Sequence, residues 1–155
     1  MLIGVISDTH GLLRPEAVEA LRGAEQIIHA GDIGAADVLT ALAAIAPVTA
    51  VRGNNDGAAW AAHIPETAVL AAGGTSIYVI HDVNELDLDP SAGGFGVVVA
   101  GHSHRPAQSQ RGGVLFFNPG SAGPRRFRLP ISVGRLHVDA GAGVAVIRGE
   151  LITLG

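Results

Sequence analysis

Cysteine and lysine are both absent from the 155 residues. Without cysteine, disulfides and thiolate metal sites are excluded. Without lysine, all ten basic residues are arginine, a side chain suited to bidentate phosphate contacts. The net charge of −4 argues against the basic stripe that a broad nucleic-acid surface needs. Aromatics, at 4%, leave few platforms for stacking single-stranded bases. Hydrophobic content is high, at 48%, yet charged residues, proline or glycine interrupt every apolar run before the ~18 residues of a membrane span. No basic region precedes the first strand, so no signal peptide is expected and the expected location is cytoplasmic. A chain of this length predicts one domain over 1–155, burying roughly two thirds of its unfolded surface.

Glycine, by contrast, is abundant: 22 residues, about twice the average usage, placed mainly in the joints. The first half alternates strand and helix. Residues 2–6 are a continuous apolar run, as in a strand buried on both faces. Pro15 opens a short helix that Gly23 is suited to end. A strand near 26–29, a helix over 35–45 stopped by Pro47, and a strand at 48–52 complete a βαβαβ start. Strands near 67–71 and 75–80 flank Gly73-Gly74, a hairpin signal. Residues 84–93 fit at most one short helix. Strands near 97–100, 114–117, 134–139 and 143–153 follow, with mostly antiparallel pairing expected. The fold class is therefore α/β: two stacked mixed sheets flanked by helices.

Seven residues that can bind metal sit just after apolar strands: Asp8 and His10, Asp32, Asn54, His81, His102 and His104. In open α/β sheets ligands bind beyond the carboxyl ends of the strands. A glycine directly precedes three of these groups, in Gly31-Asp32, Gly53-Asn54 and Gly101-His102, and permits a sharp exit and a close backbone approach. Asp8/His10 and His102/His104 are i, i+2 pairs, so two side chains are expected to project the same way from locally extended backbone. Imidazole with carboxylate suits Mn, Fe, Co, Ni or Zn rather than Mg or Ca. Seven ligands exceed one ion but suit two ions sharing a carboxylate.

Asp8-Thr9-His10, Gly31-Asp32, Gly53-Asn54, His81 and Gly101-His102-Ser103-His104 resemble the motif series of calcineurin-like metallophosphoesterases. The closest resemblance is to their short, single-domain phosphodiesterase branch in bacteria and archaea, and it covers residues 2 to about 122. Ile6-Ser7-Asp8-Thr9-His10-Gly11 and Asn118-Pro119-Gly120-Ser121 are similar to that branch as well. The resemblance implies an α/β/β/α sandwich and two divalent transition-metal ions, manganese first, with Fe, Ni, Co or Zn as alternatives. One ion would take Asp8, His10, Asp32 and His104; the other would take Asp32, Asn54, His81 and His102, with Asp32 bridging. Such a pair can activate a bridging water as hydroxide and clamp a phosphoryl group for in-line attack. Many relatives carry His after the metal-binding Asn; here Asn55 and then Asp56 stand there, as in the short branch. Good leaving groups are therefore favoured, with Asn55 and Asp56 as candidate catalytic residues. Asp82 replaces the Gly that usually follows His81.

The expected activity is hydrolysis of a small phosphodiester. Its rivals are a nucleotide pyrophosphatase or phosphomonoesterase with the same site, and a non-catalytic scaffold, as in a eukaryotic coat subunit related to this branch. The expected partner is a small phosphorylated substrate, not nucleic acid and not a membrane, with self-association left open. His29 reads as a satisfied core or supporting histidine, and His63 and His137 as surface or structural ones. Asn118 to Ser121 either line the site or form an ordinary loop. Arg125, Arg126 and Arg128, like Arg14, read as solvated surface with substrate phosphate contact as the alternative.

Overall fold

Ten strands and two α-helices make up the protein, seen in a computed structural model that describes residues 1–141 and 145–154. The strands are β1 (Leu2–Ile6), β2 (Gln26–His29), β3 (Val48–Ala50), β4 (Thr67–Ala72), β5 (Thr75–Ile80), β6 (Val97–Val99), β7 (Ala107–Arg111), β8 (Val114–Asn118), β9 (Ser132–Asp139) and β10 (Val146–Thr153). The helices are α1 (Pro15–Leu21) and α2 (Ala36–Ala43). One five-stranded sheet has the order β10-β9-β1-β2-β3 and the other β4-β5-β6-β8-β7. Both are mixed, and they stack face to face.

The core between them is made of Ile3, Val5 and Ile28 from the first sheet against Val79, Val99 and Phe117 from the second. Phe117 fills a slot that Gly134 and Gly149 leave open, since a Cβ at either would strike its ring. Burying that ring contributes about 1.5–3 kcal/mol. Both α-helices cover the outer face of the first sheet, where Ala17, Leu21, Val38 and Leu42 pack on Ile6 and Ile27. Among the described residues, no α-helix covers the outer face of the second sheet. Val83, Leu86 and Phe95, from a segment with one 3-10 turn, pack there on Tyr78, Ile80 and Val98. The helical flank is thus full on one side and vestigial on the other. No helix among the described residues is long and apolar enough to cross a membrane.

The Gly73-Gly74 hairpin forms as expected, with Ala72 opposite Thr75 and both glycines at positive φ. A second hairpin of the same kind, β7 to β8 around Gly112-Gly113, escapes the apolar pattern because all five residues of Ala107–Arg111 are exposed. The last strand is expected from 143; residues 142–144 lie outside the described residues, and β10 runs from Val146.

Pairing among the strands of the second half is mostly antiparallel, as expected: β4 with β5, β7 with β8, and β9 with both β1 and β10. The exception is β6, which pairs in parallel with both β5 and β8. All three residues of β6 are buried, as befits a central parallel strand. The long segments before and after it provide the crossovers that parallel pairing requires. The parallel setting matters for the site, because β5 and β6 release His81 and the His102/His104 loop at one edge.

Candidate metal centre

β1, β2 and β3 are parallel, so Asp8, Asp32 and Asn54 leave the first sheet in the same direction. The loops are then stitched together by backbone bonds: Asp8 N donates to Gly31 O at 3.0 Å, His10 N to Asp32 O at 2.9 Å, and Gly101 N to His81 O at 2.9 Å. At this density of backbone a side chain in the wrong place cannot fit. A Cβ on Gly53 would collide with the Asp32 carboxylate, and one on Gly101 with Ser7 Oγ and Asp8 Oδ2.

Asp8, His10, Asp32, His102 and His104 all lie in the left-handed region, with φ between 47° and 71°. The two i, i+2 pairs are therefore not on extended backbone. Their convergence comes from tight left-handed turns, which L-residues tolerate at a cost of about 1–3 kcal/mol each. Phe127 is the other non-glycine residue at positive φ among the described residues.

At the centre is Asp8, fully buried. Its Oδ2 accepts from Ser7 Oγ at 2.7 Å and from the His102 N–H at 3.1 Å. Its Oδ1 is buried with no hydrogen-bond partner, as are His10 Nε2 and His81 Nε2. Oδ1 lies 3.4 Å from His104 Nε2, 3.9 Å from His81 Nε2 and 4.0 Å from His10 Nε2. A buried polar atom left unpaired costs about 1–3 kcal/mol. Several such atoms facing one space fit a cation. Two groups have all their ligand atoms within 4.8 Å of one another: Asp8, His10 and His104, and Asp8, Asp32 and His81. Asp8 is common to both groups. Asp32 Oδ2 still reaches both sides, 3.9 Å from His10 Nε2 and 3.4 Å from His81 Nε2.

His81 Nδ1 donates to the Ala30 carbonyl at 2.6 Å, which leaves Nε2 as the atom facing the carboxylates. Burial alone would lower the pKa of His81, but Asp32, the Ala30 carbonyl and Asp8 outweigh it and hold it above the usual value. Burial likewise would raise Asp32, yet His81, the Asn55 N–H and His10 bring it down to about 2. An incoming cation must displace the His81 proton, so binding weakens at low pH.

His102 and Asn54 are brought less close. The His102 side chain is 43% exposed, its Nε2 3.6 Å from Asp82 Oδ2 and its ring 5.2 Å from that of His81. Asn54 is exposed and lines a cleft of about 350 Å³ together with His81, Arg52, Glu66 and Glu85. Both stand at the mouth of the buried cluster.

Residues that sequence reasoning treated as candidates or left aside prove to hold the ligands in place. Asn55 donates its N–H to Asp32 Oδ1 at 2.9 Å and its side-chain amide to Oδ2 at 3.4 Å. Asp56, considered as an acid, is buried with both oxygens taken up by the backbone N–H groups of Ile33, Gly34 and Gly53 at 2.9–3.1 Å. It clamps two ligand loops together and has no free oxygen from which to offer a proton to the cleft. Asn118 donates to Gly101 O and Ser103 Oγ, and Ser121 Oγ donates to Asp8 O, so this stretch braces the site from behind. In the sequence, Asn118 to Ser121 read as site lining or an ordinary loop, and Ser7 and Thr9 as parts of the Ile6-to-Gly11 motif; neither motif signalled the bracing role.

His29 is fully buried and satisfied. Its Nδ1 accepts from Gly31 N at 3.1 Å, so Nε2 carries the proton and donates to Thr9 Oγ1 at 3.0 Å, which donates onward to Ile33 O at 2.8 Å. Burial, only partly offset by Asp8 and Asp56, pushes its pKa down to about 4. The unfolded chain then binds a proton that the folded chain refuses between about pH 6.5 and 4. Stability should fall across that window as pH drops, by up to about 3 kcal/mol from this residue. The raised His81 acts with the opposite sign, contributing stability at low pH that is lost as pH rises. Urea unfolding of metal-free wild type and His29→Asn from pH 7 to 4 isolates the His29 share. Equal slopes in the two proteins would remove it.

His63 is exposed, and His137 bonds Glu150 across β9 and β10 at 3.0 Å, so neither joins the site. Arg14 donates to Gly123 O at 3.2 Å, and Arg125, Arg126 and Arg128 are exposed.

Comparison with known proteins bears on the family and the fold. The model of the calcineurin-like phosphoesterase superfamily domain matches residues 1–141. A probable metallophosphoesterase of Methanothermobacter thermautotrophicus is 36% identical over 151 residues, covering 90% of this chain and 87% of that protein. Among solved structures, Vps29 of Chaetomium thermophilum is similar with a TM-score of 0.78 at 21% identity, covering 99% of this chain and 97% of its own. A novel archaeal phosphodiesterase has a TM-score of 0.77 at 24% identity, covering 98% and 100%. On the strength of the family match and the archaeal relative, the chain belongs to the calcineurin-like phosphoesterase superfamily.

Proposed function

We propose that this protein is a dinuclear metal-dependent phosphodiesterase acting on a small molecule. The observation that carries the reading is the set of buried, unpartnered ligand atoms, Asp8 Oδ1, His10 Nε2 and His81 Nε2, facing one another at the strand ends. Asp8, His10, Asp32 and His104 would hold one ion. Asp32, Asn54, His81 and His102 would hold the other, with Asp8 close to both. Manganese is the first choice, with Fe, Ni, Co or Zn as alternatives for the same donor set. Bound ions supply an activated water and neutralise charge on the phosphoryl group.

The chain's own contribution is placement. Ser7 and the His102 N–H turn Asp8 so that one oxygen faces inward, Asn55 orients Asp32, and the Ala30 carbonyl fixes the His81 tautomer. The exposed mouth at His102 and Asn54 admits substrate, and a cleft of about 350 Å³ suits a small molecule. The fold shared with the archaeal phosphodiesterase supports a diester over a monoester or a nucleotide pyrophosphate. A second reading, a protein-binding scaffold, is favoured by the likeness to Vps29. We place the working protein in the cytoplasm.

Turnover of bis-p-nitrophenyl phosphate with Mn²⁺ separates the two. An enzyme should show metal-dependent hydrolysis that Asp8→Ala abolishes. Equal background rates in wild type and Asp8→Ala would leave the scaffold reading standing.

A further inference from the structure

Phe127 is 90% exposed, the most exposed of the large apolar side chains, and it sits at φ 54°. Among the described residues it alone, outside the candidate ligands, holds a non-glycine side chain in the left-handed region. Strain of this kind persists where the surroundings impose it, and here they do. The loop before Phe127 springs from the back of Asp8: Ser121 Oγ bonds Asp8 O, a Cβ on Gly123 would strike the Asp8 and Thr9 carbonyls, and Arg14 bonds Gly123 O. Beyond Phe127 the turn is closed by Leu129 N donating to Arg126 O at 3.1 Å. The ring is therefore held out from an anchored stem.

A hollow of about 660 Å³ is lined by Phe127, Arg128 and Leu129 from this loop and by Arg105 from another. Arg105 directly follows His104, so the hollow adjoins the metal centre along the chain. Among the described residues, neither Arg105 nor Arg128 lies within 4.0 Å of a carboxylate. Two unneutralised guanidinium groups beside an open aromatic face fit a planar ring joined to a phosphate.

Resting on the phosphodiesterase reading, we propose that Phe127, Arg105 and Arg128 form a subsite for a nucleoside base or comparable aromatic ring of the substrate, making the preferred diester nucleotide-like. One platform suffices for one ring. Base stacking on an aromatic side chain changes binding by roughly 5-fold to 150-fold. The two arginines would contact phosphate oxygens.

The test compares two esters with the same leaving group, p-nitrophenyl thymidine 5′-phosphate and methyl p-nitrophenyl phosphate. Phe127→Ala should raise KM for the nucleoside ester by about 10-fold with little change in kcat, leave the methyl ester unaffected, and be rescued by Phe127→Tyr. Arg105→Gln should raise KM for both esters, because both carry the phosphate that Arg105 would contact. Calorimetry with AMP, on the protein as purified and after Mn²⁺ addition, should show the same 10-fold loss in Phe127→Ala. Hydrolysis of both esters with no dependence on Phe127 overturns the subsite and leaves the phosphodiesterase standing. AMP binding that depends on Phe127 without hydrolysis of either ester does the reverse. Phe127-dependent sedimentation with phosphatidylglycerol vesicles, without nucleotide discrimination, would make the loop a membrane contact and overturn the proposal.

Discussion

Asp32→Ala should lose both metal ions and reduce diester turnover by at least about 10³-fold, because forfeiting metal polarisation removes several kcal/mol at the transition state. Asp32 Oδ2 lies within 4 Å of a histidine from each expected ligand set. Removing it also strands the Asn55 amide, which has Asp32 as its acceptor. Asn54→Ala and His81→Ala should strip mainly one ion. Elemental analysis of Mn²⁺-reconstituted protein gives about two ions per chain in wild type, about one in the latter pair and near none in Asp32→Ala. Asp8 supplies the rival outcome. If Asp8→Ala empties both sites while Asp32→Ala keeps one ion and substantial turnover, Asp8 is the shared ligand, as its place in both buried groups would have it.

The second large effect concerns the leaving group. Asn55 stands where many relatives have histidine, and its amide and N–H are committed to Asp32. Asp56 has both oxygens committed to backbone donors. Neither Asn55 nor Asp56 is therefore left free to protonate a departing oxygen. Nitrophenyl diesters should exceed alkyl analogues in kcat/KM by on the order of 10²–10⁴-fold, the range assigned to a missing general acid. Asn55→His should narrow the gap by helping the alkyl substrate more. Asp56→Asn should loosen both ligand loops, because an amide would face three N–H groups, and lower metal content without altering the dependence. A shallow dependence in wild type that steepens in Asp56→Asn would return the acid role to Asp56.

The convergence of Asp8, His10, Asp32, His81 and His104 was legible because each is a polar residue near the end of an apolar strand, a one-dimensional signal. So were both sheets' apolar strands and the Gly73-Gly74 turn. β7 was hidden because its sequence, Ala-Gln-Ser-Gln-Arg, is exposed throughout and extended only by pairing with β8. The parallel setting of β6 was not readable either, since an apolar run of Val97–Val99 says that a strand is buried, not which way its neighbours point. His29 was read as a satisfied core or supporting residue, and so it is, but the particular contacts of Asp56, His29 and Asn118 were hidden for a related reason. Their roles are tertiary contacts 15–23 residues away, or, for His29, a tautomer set by backbone that folds past it.

Five left-handed side chains, at strand ends of both sheets, have a consequence for how long the protein lasts in a cell. At about 1–3 kcal/mol each, their summed cost rivals the whole net stability of a typical domain, about 5–15 kcal/mol. Ligand binding to the folded form alone returns that energy by mass action. On the proposed function, metal supply would then govern lifetime as well as rate. In a starved cell the loops at 8–11 and 101–104 would open first, exposing chain to proteases before the sheets themselves give way. Molecules that fail to acquire ions would be cleared, and those that remain would be the ones able to work.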